Sequence, residues 1–262
     1  MDLGLHGMRA LISGASDGIG LATAELLAEE GADVALVARR ADALNEACTS
    51  ISARTGVKAV SVAADLSDKT VFDSVVTNVV DELGGLDILI NNAGASSFGG
   101  FGDLTDEQWV ADINLKLFGF IRMTRAALPH LLKNGNGRIV NVAGNSGKQA
   151  LEYHMPGAAA NAAILNFSKS LSLQVGAQGV MINTVCPGSV RTARLVKQFA
   201  ANAKDWGCTP EEAEERYLEN LPLTYIPSAR DIAYSIVFLA SPRAAYLNGT
   251  TITNDGGITR AV

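Results

Sequence analysis

Apolar and polar positions along this chain alternate between two periods. "RALISG" at 9–14 is a short apolar run closed by glycine, and the "IGLATAELLAEEGA" that follows repeats its apolar residues at helical spacing. The same change of period recurs along the chain. "DVALVARR" (33–40) reads as a strand and "ADALNEACTSISART" as a helix; "VKAVSVAAD" (57–65) and "LDILINNAG" (86–94) are strands separated by the helix "DKTVFDSVVTNVVDEL". A helix around 106–132 precedes the strand "GRIVNVAG" (137–144), and a helix over roughly 157–177 precedes "VMINTVCPG" (180–188). "ARDIAYSIVFLAS" (229–241) is a last helix and "GTTITNDGG" (249–257) a last strand.

Strands that read as unbroken apolar runs are buried on both faces, and their alternation with helices predicts an α/β fold with a seven-stranded parallel sheet. Residues 192–224 are polar, charged and helical in pattern, and interrupt the alternation late, after a strand end, where a segment covering a substrate belongs. No linker divides the chain, so one domain spanning 1–262 is expected, with 192–224 as its lid.

Composition narrows the function classes. The 262 residues are 48% hydrophobic and 18% charged, which predicts a sizeable core and excludes disorder. A net charge of −6 provides no broad basic field, so nucleic acid is not expected as a partner. Cys48, Cys186 and Cys208 are scattered without metal-ligand spacing and read as free thiols of a reducing compartment. No apolar run approaches the length of a membrane span, and a cytoplasmic protein is expected.

"SGASDGIG" (13–20) joins the first strand to the first helix. Gly14 permits a tight turn, Gly18 lets backbone approach a diphosphate, and Gly20 allows close helix–sheet packing, with Ser16, Asp17 and Ile19 completing the loop. A strand–loop–helix of this kind favours a dinucleotide over an empty turn. The next strand ends "VARR", without the acidic residue that holds a free ribose 2′-hydroxyl, so Arg39 and Arg40 are placed for a 2′-phosphate. Asp17 opposes this. A carboxylate ~7 Å from a phosphate costs about 2 kcal/mol at an effective dielectric of ~20; a charge-assisted bond contributes roughly 1.5–3 kcal/mol. NADP is favoured over NAD.

With these pieces in order, the chain resembles the short-chain dehydrogenases/reductases over nearly its whole length. The matching stretches are "SGASDGIG", "AADLSD", "NNAG" at 91–94, "DINLKLFGF", "RIVNVAG", "INTVCPGSVRT" and the closing "NDGG". The resemblance implies a three-layer Rossmann fold, a nicotinamide cofactor, a small-molecule substrate and a homotetramer. It further implies that Asp65 and Leu66 lie by the adenine, Asn92, Ala93 and Gly94 by the adenosine ribose, and Pro187, Gly188, Val190 and Thr192 by the nicotinamide.

The family pattern carries a serine, a tyrosine thirteen residues later and a lysine four beyond that, with an asparagine from an earlier helix. Registered on "NVAG" and "AAILNFSKSL", those positions fall on Gly144, Gly157 and Asn161, while Asn114 is kept. A positioned general acid contributes ~10²–10⁴ in rate, and glycine has no side chain to supply it. His154 and Tyr153, on the loop entering the active-site helix, are the first candidates for the displaced acid, with pocket lining or subunit contact as the alternative. Ser146 is a candidate hydrogen-bond donor, and Asn161 keeps the ability to bond a ribose without carrying charge. Lys148 follows on the same loop; Lys116 and Lys169 read as solvated helix charges. Three functions stay open: an NAD(P)-dependent oxidoreductase acting on a carbonyl, alcohol or activated double bond, a lyase or hydratase on the same scaffold, and a dinucleotide-binding protein without turnover.

Overall fold

The computed structural model describes residues 1–261; Val262, the last position of the expected span, and the side chains of Arg194, Ala201 and Asp205 lie outside the described residues. Its seven strands are β1 (Arg9–Ser13), β2 (Asp33–Ala38), β3 (Ala59–Ala63), β4 (Ile88–Asn91), β5 (Arg138–Val142), β6 (Met181–Pro187) and β7 (Thr251–Asn254). All pair in parallel in the order β3-β2-β1-β4-β5-β6-β7. The order reverses between β1 and β4, and the carboxyl ends of strands flanking such a reversal open a crevice where parallel sheets bind ligands.

Successive strand residues point to opposite faces, so neighbours enter different cores. Ile12, Leu36, Ile90 and Val140 pack with Ile232 and Ile236 on one face. Leu11, Val37, Leu89 and Ile139 pack with Val79, Met123 and Leu131 on the other. The first face is covered by α1 (Gly18–Glu29), α2 (Ala41–Thr55) and the last helix of the chain. The second is covered by α3 (Phe72–Leu83) and the long helices on either side of β5. Each fully buried Leu or Ile stabilises by about 1.5–3 kcal/mol, so both halves of the three-layer fold predicted from the unbroken apolar strands are secured.

Polar groups lock the layers in register. The buried Asn91 amide donates to Asn141 Oδ1 at 2.9 Å and to Thr124 Oγ1 at 3.0 Å, and Asn141 donates in turn to Ser168 Oγ at 2.8 Å. At the opposite end of β1, Arg9 pairs with Asp87, Nε to Oδ2 at 2.7 Å.

Two departures from the sequence pattern have a local cause. α3 begins at Phe72, because Asp68 Oδ1 accepts from both the backbone and the hydroxyl of Thr70 and forms a turn before it. The helix expected around 106–132 is three pieces: α4 (Asp106–Ile113), a π-helical turn over Asn114–Phe118, and α5 (Gly119–Lys133). The extra residue of a π turn leaves no mark in apolar spacing, and such turns concentrate at functional sites.

The helix expected over roughly 157–177 is α6 (Met155–Val175), with Pro156 in its first turn, where a missing N–H is tolerated. Segment 192–224 folds into α7 (Ala193–Trp206) and α8 (Pro210–Leu218), the latter opened by a Thr209–Glu212 capping box. In this segment Phe199 is buried against Tyr217, whereas Trp206 remains half exposed. The last helix is α9 (Ala229–Ala240). Among the described residues no helix is long and apolar enough to cross a membrane, and no cluster of His, Cys, Asp or Glu could hold a metal ion.

Candidate active site

The glycine loop leaves β1 through Gly14 (φ +68°) and enters α1 at Gly18 (φ +57°), backbone regions that L side chains rarely adopt. A Cβ on Gly20 would overlap the Gly14 carbonyl and lie 2.6 Å from Asn92 Nδ2, which itself donates to the Ser13 and Gly14 carbonyls. Ser13 Oγ accepts the backbone N–H of both Asn92 and Ala93. The "NNAG" segment is therefore bolted to the glycine loop, and a Cβ on Gly14 would stand 2.8 Å from Ala93 Cα. Thr192 closes the loop from the far side, its Cγ2 lying 3.2 Å from where a Gly18 Cβ would be. Pro187 and Val190 are buried below it, and Gly188 donates its N–H to the Asn254 carbonyl at 3.2 Å.

Charge is arranged at the loop's outer rim. Arg40 Nη2 reaches back to the Ser16 carbonyl at 3.3 Å and hydroxyl at 3.2 Å. Asp17 is exposed and caps α1, its Oδ1 accepting the Gly18 N–H at 2.6 Å. Asp65 is held below the ordinary carboxylate range by bonds from the Ser67 backbone and hydroxyl, with the Arg39 charge contributing less. Leu66 is buried beside it. Ile19 is half-buried within the first turn of α1.

The catalytic candidates fall into two groups. Around Gly144, the amide of Asn161, fully buried, has both ends engaged: Oδ1 accepts from Gly144 N–H at 3.0 Å, and Nδ2 donates to Ser146 Oγ at 2.9 Å. A Cβ on Gly144 would stand 2.9 Å from that Nδ2. Around Gly157, a Cβ would overlap both His154 Nε2 and Ser96 Oγ and lie 2.8 Å from His154 Cε1. The His154 ring is buried and stacks on Phe98 at 4.4 Å between centroids with planes 10° apart. The Gly99 N–H to Tyr153 carbonyl bond, 3.1 Å, fixes the two loops together.

Tyr153 points elsewhere. It is exposed, and a hydrogen bond with Glu152, reinforced by that carboxylate's charge, raises its pKa above the ordinary phenol value. Asn114 sits in the π turn with its side chain committed, Nδ2 to the Ser67 carbonyl at 2.9 Å and Oδ1 from Arg122 Nη1 at 2.8 Å.

Comparison with known proteins gives the family. The family described as enoyl-(acyl carrier protein) reductase matches residues 14–259. The 3-oxoacyl-(acyl-carrier-protein) reductase FabG of Vibrio harveyi is 35% identical over 256 residues, 98% of this chain and 99% of the relative. The chain belongs to the short-chain dehydrogenase/reductase family of NAD(P)-dependent oxidoreductases. Among solved structures of the family, L-sorbose reductase from Gluconobacter frateurii, complexed with NADPH and L-sorbose, superposes with a TM-score of 0.96 at 34% identity over 100% of both chains. An actinorhodin polyketide ketoreductase variant with NADPH gives 0.92 at 30% identity over 97% of both.

Two residues at this short-chain dehydrogenase/reductase site had no sequence signal. Ser96 meets His154 over Gly157, because the loop after β4 folds onto the entrance of α6. Lys116, expected to be solvated, instead lays its stem over Gly94, with Cδ 3.3 Å from where a Cβ would stand. A separate cavity of about 250 Å³ opens between residues 221–227 and the loop after β7, lined by Ser189, Tyr225 and Asp255 among others and by nothing from 144–157.

Proposed function

We propose that this chain is an NADP-dependent oxidoreductase that reduces a carbonyl of a small apolar substrate, with His154 as proton donor in place of the family's tyrosine. In this reading Gly144, Gly157 and Asn161 stand at the family's serine, tyrosine and lysine positions. One observation carries the assignment: His154 occupies the space that a side chain on residue 157 would enter, and comes from the loop immediately before it.

The residues of the crevice fit a dinucleotide phosphate. Gly14, Gly18 and Gly20 let Ala93, Asn92 and Thr192 approach the loop more closely than a Cβ would allow, and Asp17, whose carboxylate accepts the Gly18 N–H, opposes a phosphate there. Arg40 with Ser16, and Arg39 beside Asp65, form a rim with the cations a 2′-phosphate requires. The NADPH in two structural neighbours supports the same choice over NAD. When bound, the nicotinamide supplies a hydride to the carbonyl carbon.

The chain's own groups complete the reaction. His154 gives a proton to the carbonyl oxygen, yielding the alcohol. Ser146 accepts from Asn161 and retains its own hydroxyl hydrogen for the substrate oxygen. Asn161 holds the Gly144 backbone and Ser146 in place, and Asn114 anchors the π turn to the Ser67 carbonyl. The 3-oxoacyl-(acyl-carrier-protein) reductase relative makes short β-ketoacyl thioesters the first apolar substrates to try, with ketoses, from the L-sorbose reductase neighbour, as the polar contrast. A homotetramer in the cytoplasm is part of the proposal, with Val110, Phe118 and Leu173 exposed on the helices that would meet and free thiols that suit a reducing compartment.

The test is NADPH consumption with a panel of these ketones, before and after His154→Phe. The reading requires at least one ketone to be turned over and the substitution to slow it at least tenfold. Equal turnover in the variant removes His154 as donor, and the absence both of NADPH consumption with any ketone or enone and of NADPH formation from NADP and any alcohol removes the oxidoreductase reading.

A further inference from the structure

The position where the family carries its lysine holds a neutral, buried Asn161 whose amide is spent on Gly144 and Ser146. A cation nevertheless enters the same crevice from another element. Lys116 lies in the π turn between α4 and α5, and its stem crosses Gly94, with Cγ, Cδ and Cε 3.4, 3.3 and 3.6 Å from where a Cβ on that glycine would be. Gly94 follows β4 directly, at the reversal of strand order, so the lysine is directed over the carboxyl end of the sheet. Its charge also reaches the Cys186 thiol near the end of β6, acting with Lys148 against the burial that pushes that thiol up to about 11.

The turn is built to hold this direction. Gly119 N–H bonds back to the Asn114 carbonyl, five residues away. Asn114 is clamped between the Ser67 carbonyl and Arg122, whose guanidinium lies 5.1 Å from the Phe118 ring centre and 6.0 Å from that of Phe72. The inserted residue of a π turn rotates everything after it by about 100° relative to an α-helix. Lys116 lies within that turn. The other nearby cation, Lys148, lies toward the sheet edge, 3.1 Å from Thr253 Oγ1 on β7, three strands from β4.

We infer that Lys116 binds the ribose on the nicotinamide side of the dinucleotide, taking over from the π turn the role that the family's lysine plays from α6. This rests on the NADP reading above and adds to it the residue that replaces the lost charge. In a cleft partly shielded from water, an ammonium bonded to ribose oxygens contributes roughly tenfold or more in affinity.

Binding of two ligands separates this inference from the reading beneath it. NADPH carries the nicotinamide ribose; 2′,5′-ADP carries the adenosine half and the 2′-phosphate but no second ribose. Lys116→Met is expected to weaken NADPH at least tenfold, leave 2′,5′-ADP within twofold of the parent, and leave the melting temperature unchanged. Lys116→Arg should recover most of the NADPH affinity. If Lys116→Met binds NADPH as the parent does, or loses both ligands equally, the inference is overturned while the NADP reading stands. If the parent chain binds neither ligand, the NADP reading itself falls.

Discussion

His154 and Gly157 share one space: a Cβ on the glycine would overlap the imidazole Nε2 and lie 2.8 Å from Cε1. The glycine is thus the condition for the histidine to lie inside the site, stacked on Phe98. Ser96 Oγ crowds the same point. Gly157→Ala is therefore expected to destabilise the chain by about 1–3 kcal/mol through overpacking. In a His154→Ala, Ser96→Ala background the same change should cost markedly less. Urea melts of the set measure the difference, and simple additivity would show that the groups do not share the space.

The second pair is Gly144 and Asn161. The Asn161 amide is fully buried and bridges Gly144 N–H to Ser146 Oγ. Asn161→Ala leaves both partners without it, and a loss of about 1–3 kcal/mol is expected from urea or thermal unfolding. Gly144→Ser alone should also destabilise, because its Cβ would meet Asn161 Nδ2 at 2.9 Å. A serine at 144 or a tyrosine at 157 is thus expected to weaken the fold.

Much of this was legible in the residues. The unbroken apolar runs of β1, β2, β4 and β5 carried the parallel sheet, and "ADALNEACTSISART" coincides with α2. The glycine loop, "NNAG" and Thr192, which the family resemblance placed along one cofactor, lie together. What stayed hidden depends on hydrogen-bond geometry. The π turn at Asn114–Phe118 has ordinary helical composition, so Lys116 reads as a solvated charge, although its stem lies over Gly94. Asn114 was expected to face the reaction and Asn161 to bond a ribose; the structure gives their side chains to Arg122 and Ser67, and to Gly144 and Ser146. Tyr153 and His154 are adjacent in sequence, and only the loop's path separates the exposed phenol from the buried imidazole.

The rim arginines make a separate prediction. Arg40 stands over Ser16, and Arg39 beside Asp65. Replacing both with alanine removes the charge facing a 2′-phosphate, and should weaken NADPH about tenfold or more while leaving NADH nearly unchanged. Equal losses for the two cofactors would place the arginines elsewhere.

Acid sensitivity follows from the far end of β1. Burial pushes the Asp87 carboxyl up, but hydrogen bonds from Arg9 and Asn134 outweigh it and hold it below the ordinary value. A carboxylate depressed in the folded state contributes stability above its unfolded pKa of ~3.9, and that contribution is lost as pH falls through the lower folded value. Asp87→Asn should cost about 1–3 kcal/mol at pH 7. The gap between variant and parent should close below about pH 4, and a gap independent of pH in thermal melts would remove the ion pair as its source.

The most direct measurement is a fluorescence titration of the purified chain with NADPH and, in parallel, NADH. The account predicts saturable NADPH binding at micromolar concentration or below, with NADH weaker. Flat titrations for both would contradict it, since a glycine cradle rimmed by Arg39 and Arg40 would then hold no dinucleotide.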